Sequence, residues 1–319
     1  MARTIIVATA DASNGFRKAL LGPHEQDPNG HERLIGASDF LSINFLAAGM
    51  KAADAVCRIR VPSAVGELFG SGFLVGPGLL LTNHHVLASV DDAGQAQAEF
   101  GFQHDVDGVL LPPIGFNLTA HDVFFTDSEH DVTLVSVAAY SDGGVPLSRY
   151  GFLPLIPLSG KGLPGEWVTI PQHPGGQPKQ ITVRACEIIA LDEGQVPTVD
   201  TKKLIHYSTD TAPGSSGAPV LNDQWQVIAV HHKAVLDPGQ NLEKLKEGGL
   251  EPKFIANEGI RISAICAFLQ GMRFSNAMAA AALQRIEAGL GLQSPSALTP
   301  AAVTMHDESF EKGPSTVSN

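Results

Sequence analysis

Short β-forming runs, broken by Gly, Pro, Asn and Asp, recur through the middle of this chain and constrain its fold more than any other feature. Val56–Val61, Ser71–Val75, Leu79–Thr82 and Val132–Val137 come first. Trp167–Ile170, Gln180–Ala185, Leu204–Tyr207, Ala218–Leu221 and Val227–Val230 follow in the same style. Each run is the length of one strand and is bounded by turn-forming residues. With 33 Gly and 21 Pro among 319 residues, the chain is better supplied for turns than for long helices. Gly143, Gly144 and Pro146 divide the runs into two consecutive all-β units, residues 55–145 and 146–270. Two units of that size suit a pair of small antiparallel barrels.

The flanks read differently. Residues 1–54 form a leader whose first part, 1–37, lacks periodicity. Ser38 is a candidate cap for a helix over about 42–54, with Phe45, Leu46, Met50 and Ala53 on one face. Gly49 shares that face and weakens the helix by about 1 kcal/mol relative to Ala. A short helix is expected to close the second unit near Ile262–Leu269. Within residues 271–292, Asn276 is a candidate cap for an Ala-rich helix reaching Leu290, and its Ala279–Ala282 run reads as surface-packed. The Ser/Thr/Pro-rich stretch 293–319 is expected to be disordered.

Composition removes several classes of function. A formal charge of −12 and the lack of any basic run argue against nucleic acid as a partner. Thr4–Ala10 is a short apolar stretch closed by Asp11, without the apolar core and cleavage site of a secretory signal. No run of about 18 apolar residues stands out, so no membrane span is expected. Cys57, Cys186 and Cys266 are odd in number and widely spaced, which suits reduced thiols and cytoplasmic residence. No pair of them has zinc-ligand spacing, and neither a metal nor a cofactor is expected.

Three motifs carry chemistry. Gly70-Ser71-Gly72-Phe73-Leu74-Val75 precedes Leu80-Leu81-Thr82-Asn83-His84-His85-Val86, which places an imidazole at the end of a strand, where a general base can be held rigidly. Glu129-His130-Asp131-Val132 puts a carboxylate just before an apolar strand, where it can be buried against that imidazole and fix its tautomer. Asp210-Thr211-Ala212-Pro213-Gly214-Ser215-Ser216-Gly217 sets a serine in a tight turn whose backbone N–H groups can converge on one point. Each motif alone is weak. Their joint occurrence, in the order His, Asp, Ser and each beside an apolar strand, is a strong signal.

At these residues the sequence resembles the chymotrypsin-like (trypsin-fold) serine peptidases, and among them the bacterial glutamyl endopeptidases and HtrA-type peptidase domains. The resemblance covers about residues 55–268. It implies an all-β fold of two antiparallel six-stranded barrels, here with a short helical leader and C-terminal helices. It also implies a serine endopeptidase with His85 as base, Asp131 as orienting acid and Ser216 as nucleophile. Gly214 and Ser216 would supply the oxyanion hole through their N–H groups. His84 falls on the non-catalytic position. One departure matters: the family's N-terminal activating ion pair needs an Asp just before the nucleophile, and Ser215 stands there. The oxyanion hole must then be organised another way, with the leader as one candidate.

The expected partner is a protein or peptide substrate, with limited cleavage of a cytoplasmic target; a regulatory partner is unknown. A non-catalytic peptide-binding module and an esterase on the same scaffold are the alternatives. The resemblance assigns the specificity pocket to Asp210, Thr211 and His231, and these point in two directions. Thr211 and His231 suit an acidic side chain, whereas an inward-facing Asp210 suits a basic one. Acidic, basic and small apolar preferences all stay open. His173 is read as a turn residue, His104 and His121 as loop residues, and His130 as facing away from Asp131.

Overall fold

The computed structural model describes residues 41–64, 66–183, 186–190, 200, 202–240 and 251–292. The 1–37 leader, Ser38 and the tail from Gln293 onward lie outside these residues, as do Arg184 and Ala185 at the end of one expected strand. Among the described residues, nine strands come from the first half: β1 (Val56–Ser63), β2 (Gly66–Gly76), β3 (Leu79–Thr82), β4 (Gln97–Phe100), β5 (Gln103–His104), β6 (Leu110–Leu111), β7 (Ile114–Asn117), β8 (Phe124–Asp127) and β9 (Val132–Ser136). The second half supplies β10 (Ile170–Gln172), β11 (Gln180–Thr182), β12 (Ile188–Ile189), β13 (Leu204–Tyr207), β14 (Pro219–Leu221), β15 (Val227–Leu236) and β16 (Phe254–Arg261). The α-helices are α1 (Asn44–Asp54), α2 (Val90–Gln95), α3 (Ile262–Met272) and α4 (Ala277–Leu292).

The first sheet is antiparallel throughout, in the order β7-β4-β1-β2-β3-β9-β8. A bridge between Leu118 and Val137 brings the ends of β7 and β9 together, so the sheet curls back on itself. The second sheet runs β12-β13-β16-β15-β14. Single bridges, Thr169 to Leu221 and Trp167 to Glu187, tie the segment entering β10 to both edges of that sheet. Among the described residues the two sheets hold seven and five strands, with β10–β11 and β5–β6 as separate ribbons. Each sheet has its own core: Ile59, Leu80, Phe100 and Phe116 fill the first, and Ile170, Ile205, Tyr207 and Ile228 the second. A further cluster joins Phe73, Leu81 and Leu134 to Val230, Ile260, Ile265 and Ile286, so both sheets and the C-terminal helices share one buried seam.

Two helix expectations need correction. Only part of the proposed apolar face of α1 is packed: Phe45 lies against Trp225, while Leu46 and Met50 are exposed. Instead Gly49 and Ala52 are buried, and the Trp225 ring lies against Gly49. The glycine that weakens the helix locally is what admits that ring: a Cβ there would sit 2.3 Å from Trp225 Cζ2. Trp225 Nε1–H donates to the Phe45 carbonyl at 3.0 Å and holds the contact. Likewise α4 is more than surface-packed. Its Ala279, Ala282, Leu283 and Ile286 are buried in the shared seam, and Arg285 donates to Gly78 O and Ser136 Oγ. Asn276 caps α4, its side-chain oxygen accepting from the N–H groups of Met278 and Ala279. No described helix is long and apolar enough to cross a membrane.

Candidate active site

His85 lies in the turn that follows β3, and the residues before it build that turn. Thr82 Oγ1–H donates to Ser71 O at 2.8 Å, and Asn83 O accepts from Val86 N and Leu87 N. Asn83 Nδ2 also donates to the Asp131 carbonyl at 2.9 Å, binding the His turn to the β8–β9 turn. Asp131 occupies the last position of that second turn with φ +42°, a region non-glycine residues rarely enter. Its carboxylate is fully engaged. Oδ1 accepts from His85 N at 3.0 Å and Oδ2 from His85 Nδ1 at 2.8 Å. Burial alone would raise the Asp131 carboxyl, but the bonds from His232 and His85 outweigh it and hold the group below the usual carboxylate range.

Ser216 reaches the same place from the second sheet. Its carbonyl accepts from Ser71 N at 2.8 Å, and the next residue, Gly217, donates its N–H to His231 O at 2.9 Å. Gly217 has φ +88°, and a Cβ there would lie 2.1 Å from Ser71 O, so this close approach admits only glycine. The His85 ring is hydrogen-bonded to Asp131, and among the described residues no such bond joins it to Ser216 Oγ. That contact commonly closes only around substrate.

The loop before Ser216 is held from outside. Ser71 Oγ donates to Gly214 O at 2.8 Å and accepts from His173 N at 3.0 Å. Gly175 N–H donates to Pro213 O, and Ser215 Oγ accepts from Ala212 N. The N–H groups of Gly214 and Ser216 enter no backbone hydrogen bond among the described residues. His173 therefore does more than make a turn: its own backbone and that of the turn it opens brace the Gly214 loop, and burial pushes its imidazole down to about 3.

The three pocket candidates have distinct surroundings. Asp210 is exposed and its carbonyl accepts from Gln172 Nε2. Thr211 Oγ1–H donates to Asn257 Oδ1 at 2.8 Å. His231 is buried on β15, with Nδ1 2.9 Å from the Tyr207 hydroxyl, and burial pushes its pKa down to about 3. The ring is neutral, not the cation an acid-binding pocket would use. His130 stacks on Phe268 of α3 at 3.9 Å and bonds Asp127, away from the Asp131 contacts.

Sequence reasoning missed His232, Glu258 and His206. His232 Nδ1 lies 2.6 Å from Asp131 Oδ2, and its Nε2 lies 3.2 Å from Glu258 Oε1. Glu258 Oε2 in turn bonds His206 Nε2 at 2.9 Å. Local sequence carried no signal for these contacts, because His232 sits at a one-residue bulge that breaks strand alternation. Among the described residues His85, Asp131 and His232 also form a cluster of possible metal donors within 4.8 Å. Those atoms already bond one another, so each ring Nδ1 spends its proton on Asp131 and has no lone pair to offer an ion.

Residues 70–230 match the family model described as trypsin-like peptidase domain. The chain belongs to that family. Its fold is therefore the mostly-β, chymotrypsin-like one that the two curled sheets express. This trypsin-like chain is 40% identical over 260 residues to protein y4fB of Sinorhizobium fredii, covering 75% of the chain and 39% of that protein. It is 29% identical over 171 residues to a probable periplasmic serine endoprotease, DegP-like, of Chlamydia trachomatis, covering 53% and 29%. With a glutamyl endopeptidase of Staphylococcus aureus it shares 24% identity over 176 residues, covering 55% and 50%. The chain thus spans half or less of the length of each of these relatives.

Proposed function

We propose that this trypsin-like chain is a serine endopeptidase working through an acyl-enzyme on Ser216. The observation that carries the reading is the His85–Asp131 pair, with Nδ1 to Oδ2 at 2.8 Å, set beside a serine turn that is anchored to both sheets. Nδ1–H bonded to Asp131 leaves Nε2 as the basic nitrogen that accepts the Ser216 proton as its oxygen attacks the carbonyl carbon. The developing oxyanion is met by the N–H groups of Gly214 and Ser216. The His85 imidazolium then protonates the leaving amine, and water repeats the sequence to free the acyl group. A fluorophosphonate probe should label the wild type and not Ser216→Ala; turnover of peptides as well as esters separates a peptidase from an esterase. Failure of wild type to react would leave a peptide-binding module as the reading.

For the bond cleaved, we favour Glu over Arg as the preceding residue. Asp210 is exposed, while buried His231 has the Tyr207 hydroxyl on Nδ1, and among the described residues no hydrogen bond occupies its Nε2, which can donate to an acceptor-bearing side chain. Paired fluorogenic substrates test this. A preference for Arg that is lost in Asp210→Asn and kept in His231→Ala would overturn it. The target we propose is cytoplasmic, in keeping with Cys57 and Cys266 as buried thiols whose ionisation burial suppresses. Cell fractionation checks that placement.

A further inference from the structure

We propose that His232 is a positioning residue that stands as a fixed cation beside Asp131 and sets the pH at which His85 becomes a base. The inference rests on reading His85 as the general base. It starts from a backbone irregularity. Along β15 and β16, His231 pairs with Gly259 and Lys233 with Glu258, which leaves His232 as the extra residue of a β-bulge. A bulge re-aims a side chain that regular pairing would direct elsewhere. Here it delivers an imidazole between two carboxylates on different elements.

Both ring nitrogens of His232 face carboxylate oxygen: Nδ1 to Asp131 Oδ2 at 2.6 Å and Nε2 to Glu258 Oε1 at 3.2 Å. Only the Nδ1 contact has hydrogen-bond geometry; Glu258 Oε1 has no hydrogen-bond partner among the described residues and meets Nε2 as an ion pair, which a charged imidazolium makes and a neutral ring does not. The second carboxylate is almost fully buried and is itself held ionised, by His206 Nε2 at 2.9 Å and Lys233 Nζ at 3.2 Å. Among the described residues, the titratable groups that face His232 are Asp131 and His85 from the turns of the first sheet, Glu258 from β16, and Lys233 with neutral His231 from its own strand. The pKa follows the geometry. Burial alone would lower His232, yet its contacts with Asp131 and Glu258 raise it above the usual 6.5.

The consequence falls on His85. Its Nδ1 shares Oδ2 of Asp131 with a cation, so a second positive charge on His85 meets a repulsion that an uncharged neighbour would not supply. His232→Asn separates charge from contact, because the Asn amide can still donate to Asp131. In Ser216→Ala protein, which needs no activity, NMR titration of the ring nitrogens should show the His85 midpoint rising by about one pH unit on adding His232→Asn. His232 itself should stay protonated throughout the His85 transition in the parent. An unchanged or lowered His85 midpoint overturns the proposal, and so does a His232 that is neutral below pH 6.5. With Ser216 restored, the acid limb of fluorophosphonate labelling should move upward with the same variant. Wild type that never labels would sink the peptidase reading alone, since the titrations decide the role of His232 by themselves.

Discussion

Two adjacent serines and two adjacent histidines test the assignment most directly. Ser215 is fully buried, and its Oγ accepts from Ala212 N, so it serves the turn and not the cleft. Ser216→Ala should abolish labelling and turnover, a loss on the order of 10⁶-fold in kcat for a nucleophile of this kind. Ser215→Ala should keep both and lose about 1 kcal/mol of stability, read by thermal unfolding. His84 bonds Thr126 Oγ1 at 2.8 Å, away from Asp131, so His84→Ala should remain reactive where His85→Ala does not. Asp131→Asn puts an amide where one carboxylate accepts three N–H donors. One amide N–H must then face a donor, and kcat should fall about 10⁴-fold with the fold retained. A loss under tenfold, measured with circular dichroism unchanged, would show that His85 does not depend on Asp131 for its tautomer.

Among the elements, α1 shows how a local cost becomes a tertiary gain. Phe45 and Trp225 pack with ring centroids 4.6 Å apart, and the backbone of Gly49 lies beneath the indole. Any side chain at 49 meets a rigid ring, not the end of a flexible chain. Gly49→Val should therefore destabilise the docked helix by about 1–3 kcal/mol, the range for overpacking. In a Trp167→Phe background the emission of Trp225 should shift to the red as water reaches it, and an unchanged spectrum would mean that α1 does not cover the ring.

The whole molecule carries a pH dependence set by its buried rings. His173 and His231 are pushed down to about 3 by burial, against 6.5 ordinarily. Between those values the unfolded chain binds protons that the folded chain refuses, so their contribution is complete above 6.5 and shrinks as pH falls. Each ring costs about 1.4 kcal/mol per pH unit in that window. Asp131 and Glu258, held below the carboxylate range, add further loss below about pH 4. His232 has the opposite sign: with its pKa raised, it stabilises below 6.5 and ceases to as pH climbs through its folded value. Two rings outweigh one, so thermal unfolding should occur at lower temperature at pH 5 than at pH 7. Equal midpoints would mean that His173 and His231 accept protons in the fold. The bracing of the Gly214 loop by Ser71 likewise acts across both sheets and needs no freed N-terminus. The uncut chain should label, and Ser71→Ala should slow labelling; a chain that reacts only after trimming near residue 50 would contradict this.

The two-sheet architecture and the meeting of Asp131 with His85 were legible in the sequence because their determinants are local. Strand length, turn chemistry and a Gly-flanked serine are written within a few residues of one another, and Thr82 and Asn83 build the His turn from beside it. The partners of Asp131 beyond His85 were not legible. His232 reaches Asp131 through a one-residue bulge on a strand 101 positions later, and an extra residue changes the face a side chain occupies without any mark in local composition. Gly49 looked like a defect for the same reason: the ring that requires it is on Trp225, whose indole bonds a carbonyl 180 positions away. Pattern within a segment decides which elements form. Which charges and rings meet is decided only when long-range strand pairing sets their register.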